Sequence, residues 1–188
     1  MVKTHEADGR AYIDGCDKKY DVIMVDAFRD ITIPFQMSSI EFFESVKSHL
    51  NENGVMVVNL NMKSNQEGNI NDYLKGTISN CFSSVYTSNA GNNVILLASD
   101  TVDIFEKLEQ NLPKIKNYPL KNLMTTVKNN LIKTEKTNLI LTDDKAPVEV
   151  LGMRVLDEII GEELQTVKQM IKGKSLKELL DMLLSGNF

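Results

Sequence analysis

Short apolar runs and stretches of helical spacing alternate along the chain, and the clearest of them lie in its first third. Four consecutive apolar residues, Val22–Val25, predict a strand buried on both faces, as in a parallel sheet covered by helices. A second apolar strand is predicted over Val55–Leu60. Between them, Ser38 and Glu41 have the spacing of a capping box at the start of a helix. Apolar residues then follow at helical intervals, namely Ile40, Phe43, Val46 and Leu50.

The segment Tyr20–Leu60 therefore predicts two parallel strands joined by a right-handed helical crossover, with Asn53-Gly54 ending the helix. Upstream of it, Val2–Ala7 is a weak strand candidate and Arg10–Lys19 a short helix. Downstream, two apolar strands flank a Gly-Asn-Asn turn, which is a hairpin signal and makes this pair antiparallel. These two strands are Ser83–Ser88 and Val94–Ser99. Further helices are predicted over Asn71–Cys81, Thr101–Asn111 and Leu120–Ile132.

The order of these elements predicts the fold class. A parallel sheet that finishes in an antiparallel hairpin is typical of the Rossmann-like α/β fold of class I methyltransferases, and mixed sheets of this sort are common in α/β proteins. Residues 1–150 are assigned to that domain. Residues 151–188 carry two amphipathic helices, one before and one after Gly173. Most simply these helices cap the domain; dimerisation is the second interpretation, and their apolar stripes do not distinguish the two.

Composition narrows the function classes. The chain has 188 residues, 42% of them hydrophobic and 25% charged, which suits one globular domain with its own core. The net charge is -5 and no Lys/Arg run forms a basic stripe, so nucleic acid is not expected as a partner. No apolar stretch approaches the roughly 20 residues that span a bilayer. Cys16 and Cys81 lack motif spacing and predict free thiols in a reducing cytoplasm, and His5 and His49 form no metal-binding pattern.

The main candidate for chemistry is Asp26, which sits where the Val22–Val25 strand should end. In open α/β sheets the ligand crevice lies outside the carboxyl ends of the strands, so a carboxylate there can meet a substrate. The same residue could merely cap a loop or a helix start. A second acidic group, Asp143, Asp144 and Glu149 around Pro147, either attracts a cationic amine or forms a solvated loop, and both interpretations stay open.

Several motifs, in order and with their spacing, resemble the spermidine synthase family, and in particular its bacterial spermidine synthase-like branch. The first is Glu6–Ile13, in which Asp8-Gly9 alone would be an ordinary turn. The others are Tyr20–Phe28, Ile33-Pro34, Glu41–Phe43, Leu50–Val55 and the late run Leu141–Glu149. The resemblance covers roughly the stretch from Glu6 to Glu149.

The resemblance implies transfer of an aminopropyl group from decarboxylated S-adenosylmethionine to an amine, usually putrescine, without a metal. By position in the motifs, Asp26 would orient and deprotonate the attacking amine. Asp8 would hydrogen-bond the adenine amino group of the donor, and Gly9 and Ala27 would lie against the donor. Asp30, Asp143 and Asp144 would bind the amine. Arg29 replaces an acid that the family usually carries, and a cation there would repel a diamine.

The resemblance also predicts an incomplete sheet. The strand order of this fold type is 3-2-1-4-5-7-6, and the family's Gly-rich loop and the acidic residue after its second strand do not occur in the chain. If Val22–Val25 is strand four, strands one and two are lacking and strand four is an apolar edge. The favoured explanation is that the chain is the carboxyl-terminal part of a longer protein. Alternatively, another copy or chain covers the edge, or the first residues fold differently.

Two other functions remain open at this stage. Methyl transfer from S-adenosylmethionine on the same fold is the alternative enzymatic function. The alternative that is not an enzyme is a non-catalytic remnant or interaction module, and the absence of a Gly-rich loop from the sequence favours it.

Overall fold

The computed structural model of the protein describes residues 3–27, 33–60, 67–90 and 93–172. The strands are β1 (Tyr20–Val25), β2 (Leu50–Leu60), β3 (Ser84–Ala90), β4 (Asn93–Ser99) and β5 (Ile132–Lys133). The helices are α1 (Gly9–Asp14), α2 (Ile40–Ser48), α3 (Ile70–Cys81), α4 (Ile104–Asn111), α5 (Tyr118–Asn129) and α6 (Val148–Ile171). Short 3₁₀ turns occupy Phe35–Met37 and Leu112–Lys114.

The five described strands form one mixed sheet in the order β1-β2-β4-β3-β5. β1 is parallel to β2, whereas β4 is antiparallel to both β2 and β3, and β5 adds a two-residue antiparallel pairing to β3. The predicted α/β class, the parallel crossover and the antiparallel hairpin are therefore confirmed. The order β1-β2-β4-β3 corresponds to strands 4-5-7-6 of the expected sheet.

β1 is an edge strand, and the prediction that it is buried on both faces is wrong. Among the described residues it pairs only with β2. Val25 is buried, but Val22 is 55% exposed and Met24 is 74% exposed. A run of apolar residues indicates a strand without telling whether both of its sides are covered, because that depends on its neighbours. The predicted strand at Val2–Ala7 is also wrong for its described residues, 3–7, which are irregular and exposed.

The core lies between the sheet and the helices α2 and α3. Alternate residues of β2 point into it, so that Met56, Val58 and Leu60 are fully buried. The helices contribute a set of buried apolar side chains, namely Phe42, Phe43, Val46, Leu74 and Ile78. On the opposite face, α4 and α5 pack near Val55 and Leu97. This second cover does not reach β1, which leaves Val22 and Met24 open.

The start of α2 differs by one residue from the prediction. Its N-cap is Ser39, whose hydroxyl accepts a hydrogen bond from the Phe42 N–H at 3.3 Å. Ser38 is buried and donates to the Phe35 carbonyl instead. Glu41 is not part of a capping box, because its carboxylate accepts from the Asp143 N–H at 3.0 Å. Adjacent serines leave the choice of cap undetermined from sequence.

Other helix ends also shift. α1 stops at Asp14 instead of Lys19, and α2 stops at Ser48, so Asn53-Gly54 lies inside β2. Asn53 takes a positive φ of 64° there, which allows the strand to bulge where its register with β1 shifts. α4 begins at Ile104, three residues later than predicted, and α5 ends at Asn129, so Ile132 belongs to β5.

The first turns of α6 join the core. Val148 and Leu151 are buried in the core, whereas Ile160 and Leu164 are about half exposed. The second predicted tail helix, after Gly173, lies outside the described residues, and the division into 1–150 and 151–188 stays a prediction. In the described part of the chain, we find no helix with the length and apolarity needed to cross a membrane.

Candidate functional site

Asp26 lies immediately beyond β1, exposed at the carboxyl end of the strand. Because β1 and β2 are parallel, their carboxyl ends meet at the same edge of the sheet. Asn59, near the end of β2, reaches across and donates from Nδ2 to Asp26 Oδ1 at 3.1 Å. The Oδ1 of Asn59 is itself buried and accepts no hydrogen bond from the described residues. The sheet thus presents a carboxylate whose orientation is fixed by an amide on the neighbouring strand.

A cleft of about 430 Å³ runs along β1 and opens beside Asp26. This volume falls within the roughly 300–1,000 Å³ of typical small-molecule sites. The walls come from α1, β1 and α2 and are largely apolar; they include Gly9, Tyr12, Met24, Ala27, Met37 and Phe42. Asp26 supplies the one carboxylate among the described residues that line the cleft. The arrangement suits a ligand with an apolar ring system and a cationic group near Asp26.

Asp8 and Gly9, which are both predicted to contact the donor, differ in their position relative to the cleft. Gly9 lines the cleft, but Asp8 does not. Asp8 caps α1, and its Oδ1 accepts a hydrogen bond from the Ala11 N–H at 2.9 Å. That backbone hydrogen bond, with a further one from the Gln36 side chain, lowers the pKa of the Asp8 carboxyl. Asp8 is therefore ionised at the rim of the cleft, and its main contact is the hydrogen bond that caps α1.

Two tyrosines that line the cleft form a chain of hydrogen-bonding groups with Cys16. The Tyr12 and Tyr20 oxygens are 3.2 Å apart, and the Tyr20 hydroxyl lies 3.4 Å from Cys16 Sγ. The bond to Cys16 raises the pKa of Tyr20, which keeps the phenol protonated, and the same bond lowers the pKa of the Cys16 thiol. Both tyrosines are predicted from sequence to be packing residues, and they line the cleft with their rings.

The predicted amine-binding acids are not gathered in the cleft. Asp143 is held outside it by Arg10 and Ser39. The Ser39 hydroxyl, followed by the Arg10 guanidinium, lowers the pKa of Asp143. Asp144 is exposed and does not line the cleft. Asp30 lies outside the described residues.

Sequence reasoning missed Asn59 and Arg10. For Asn59 a signal exists, since it is a polar residue near the carboxyl end of an otherwise apolar strand, as Asp26 is near β1. For Arg10 no local signal exists, because its partner Asp143 is 133 residues away. Within the described ranges, His, Cys, Asp and Glu side chains form no cluster of three or more that could hold a metal ion.

The known sequences that match this chain are described as spermine/spermidine synthases or polyamine aminopropyltransferases. The sequence model described as "Spermine/spermidine synthase domain" matches residues 1–93. A probable polyamine aminopropyl transferase of Bifidobacterium longum is 41% identical over 195 residues, covering 92% of this chain and 43% of that protein. A polyamine aminopropyltransferase of Vibrio vulnificus is 29% identical over 142 residues, covering 66% of this chain and 46% of that protein. The chain thus spans less than half the length of these curated relatives.

Two solved structures are similar in part. A probable spermidine synthase from Corynebacterium glutamicum matches with a TM-score of 0.44 and 23% identity, over 50% of this chain and 37% of that chain. Human Methyltransferase-like protein 13, in complex with SAH, matches with a TM-score of 0.48 and 26% identity, over 64% of this chain and 65% of that chain.

Proposed function

Because the chain belongs to the spermine/spermidine synthase family, we propose that its cleft takes part in aminopropyl transfer. The proposed donor is decarboxylated S-adenosylmethionine, a ligand of the S-adenosylmethionine type, and the acceptor is a small amine. The observation that carries this proposal is the Asp26 carboxylate, oriented by Asn59 at the open end of a largely apolar cleft.

Asp26 is proposed to act as the base. An amine is protonated near neutral pH and must lose a proton before its nitrogen can attack. One oxygen of Asp26 is held by Asn59, while Oδ2 has no partner among the described residues and is available to the ammonium group. The carboxylate accepts the proton, the nitrogen bonds to the carbon next to the sulfonium, and the carbon–sulfur bond breaks. The sulfur keeps the bonding electrons and leaves as a neutral thioether, which needs no acid.

The cleft is proposed to hold the nucleoside end of the donor. Gly9 and Ala27 lie on its wall, and the short side chain of Ala27 leaves room for a flat ring close to the backbone. Asp8, at the rim, is proposed to accept from the adenine amino group with the carboxylate oxygen that does not cap α1. Asp30 and Asp144 remain predictions for the amine end, and no metal is proposed.

We also propose a partner for the β1 edge. The edge pairs with nothing beyond β2 among the described residues and exposes Val22 and Met24, which makes it prone to strand pairing. The relatives extend over more than twice the length that the chain matches. We therefore propose that a parallel strand, supplied by sequence in that additional length, covers the edge along Val22–Met24 and leaves the end of the cleft at Gly9, Asp26 and Ala27 to the donor. A second copy of this chain is the alternative, and no nucleic acid or membrane partner is proposed.

The pairing is tested by mixing the protein with the separately expressed part of the Bifidobacterium relative that lies outside the match. A one-to-one complex by light scattering is expected. Met24→Lys should weaken it, because a lysine on the edge opposes strand addition. A dimer of the chain alone that Met24→Lys dissolves would point to the second copy instead and overturn the proposed partner.

The role of Asp26 is tested with Asp26→Asn, using the protein in complex with the partner that the preceding experiment identifies for the β1 edge. Turnover of decarboxylated S-adenosylmethionine should fall by roughly 10²- to 10⁴-fold, the usual contribution of a general base. Affinity for 5′-methylthioadenosine, the thioether product, should stay nearly unchanged. The control is Asp17→Asn, an exposed acid outside the cleft, which should leave both values unaltered. Equal loss of turnover and affinity in Asp26→Asn would mean that Asp26 has a structural role.

A further inference from the structure

Arg10 makes the most extensive set of side-chain contacts near the cleft, although it does not line it. Its two terminal nitrogens donate to the two carboxylate oxygens of Asp143, each at 3.2 Å, in the paired geometry that guanidinium and carboxylate favour. Its Nε donates to Asp14 Oδ2 at 2.6 Å, and Nη1 also reaches the Gln36 carbonyl at 3.1 Å. One side chain thus links α1 to two segments that are distant in sequence.

The contacts of Arg10 bear on the cleft wall through Gln36 and Met37. While the Gln36 carbonyl accepts from Arg10, the Gln36 side chain donates to Asp8 Oδ2 at 3.4 Å. The neighbouring Met37 packs against Gly9, where an added Cβ would lie 2.9 Å from Met37 Cε. Gly9 and Met37 both line the cleft. The position of this part of the wall therefore depends on how α1 is held against the turn Phe35–Met37.

Asp143 is itself fixed from several sides. Its Oδ1 accepts from the Ser39 hydroxyl, and its backbone N–H donates to Glu41 Oε2 at 3.0 Å. Two residues before it, the Leu141 carbonyl accepts from the Ile40 N–H at 2.9 Å. The turn that carries Asp143 is thereby bound to the first turn of α2. Arg10 therefore binds a carboxylate that is held in place by α2, independently of α1.

We propose that Arg10 and Asp143 are positioning residues for the nucleoside wall of the cleft, and that Asp143 does not bind the amine. This inference deepens the proposed function, since it assigns the pair to the donor end of that same site. The ion pair holds α1 against the turn Phe35–Met37, and so keeps Gly9 and Met37 in place as one stretch of wall against which a ring can lie. The late motif Leu141–Glu149 would then act by holding α1 in place, outside the cleft.

The structural half of the proposal is tested by hydrogen exchange on the protein without ligand. Asp143→Asn keeps the size of the side chain but removes its charge, and Arg10→Lys keeps the charge but removes the paired geometry. Both should speed amide exchange in α1 by roughly tenfold or more while α3 stays unchanged, because only local opening is affected. Asp157→Asn, which changes an exposed acid on α6, is the control. Unchanged exchange in α1 would overturn the proposal.

The functional half is tested by a split of kinetic constants in the same variants. The KM for the donor should rise by roughly tenfold or more, because misplacing a binding wall weakens binding of the ring. The KM for the amine should stay within about twofold, as should kcat at saturating donor. A rise confined to the KM of the amine would overturn the proposal and restore Asp143 as an amine ligand. A protein without transferase activity would refute the proposed function, and the exchange experiment would then decide on the ion pair alone.

Discussion

Gly76 offers a test in which sequence and structure predict opposite signs. It lies in the middle of α3, where alanine is intrinsically favoured over glycine by about 1 kcal/mol. On that ground alone, Gly76→Ala should stabilise the protein. In the structure, however, a Cβ at Gly76 would approach the Leu139 carbonyl oxygen and Thr137 Oγ1 more closely than the 3.0 Å that real Cβ atoms keep. The segment around Leu139 is thus packed directly against the backbone of the helix.

The magnitude follows from which atoms can move. Overpacking costs about 1–3 kcal/mol, and the upper end applies because the nearest atom is a backbone oxygen that cannot rotate away. Asn80 adds resistance, since its Nδ2 bridges the carbonyls of Gly76 and Thr137 at 2.8 and 2.9 Å. After subtracting the gain in helix propensity, the net destabilisation is about 2 kcal/mol. For a domain of this size that corresponds to a fall in Tm of roughly 4–8 °C.

The assay is urea unfolding together with calorimetry, and Gly161→Ala is the matched control. Gly161 lies in α6 with nothing within 4 Å of an added Cβ, so this variant should gain up to about 1 kcal/mol. If Gly76→Ala were as stable as the parent or more so, the close packing of α3 on the segment 137–139 would be refuted. That packing matters for the site, because the Leu141 N–H also donates to Thr77 Oγ1 at 2.9 Å, just before the turn of Asp143.

Two further predictions concern His49 and Ser39. His49 Nδ1 lies 2.7 Å from the Ser45 carbonyl oxygen, and Nε2 lies 2.5 Å from that of Cys16. Both nitrogens can donate at once only when the ring is charged. The carbonyl of Ser45, followed by that of Cys16, therefore raises the pKa of His49. The resulting stability is present below the unfolded pKa of about 6.5 and is lost as pH rises from there through the folded pKa, so Tm should fall as pH rises above about 6.5 and His49→Gln should remove that part of the fall. An unchanged pH profile in the variant would contradict the geometry. Ser39→Ala removes the N-cap of α2 and a partner of Asp143, so it should cost about 1–2 kcal/mol in urea unfolding, whereas an effect below about 0.3 kcal/mol would show that the cap is dispensable.

Local patterns were enough to predict two strand pairs, β1 with β2 and β3 with β4, whereas the order of the four strands in the sheet came from the resemblance to a known fold type. Apolar runs place β1 and β2, and the turn between β3 and β4 sets their antiparallel pairing, because these features depend on residues close in sequence. The same logic puts Asp26 at the open end of the sheet, since any residue that follows a parallel strand reaches that edge.

The features that could not be predicted depend on contacts between residues that are distant in sequence, which the hydrophobic pattern does not reveal. Val22 and Met24 are apolar whether or not another strand covers them, so their exposure is unreadable from sequence. Asp143 is one of several acids in a loop, and only the fold shows that Arg10, 133 residues away, engages it. For Asn59 the pattern indicates a position at the same edge as Asp26, but only the fold shows that its Nδ2 donates to Asp26 Oδ1.

The most direct test of the central claim is the product formed from each donor. The protein, with its β1 edge covered, is incubated with an amine and either decarboxylated S-adenosylmethionine or S-adenosylmethionine, and the nucleoside products are identified by mass spectrometry. We expect 5′-methylthioadenosine and an aminopropylated amine from the first donor, no turnover of the second, and loss of the product in Asp26→Asn. Formation of S-adenosylhomocysteine and a methylated acceptor from the second donor would contradict the proposed function.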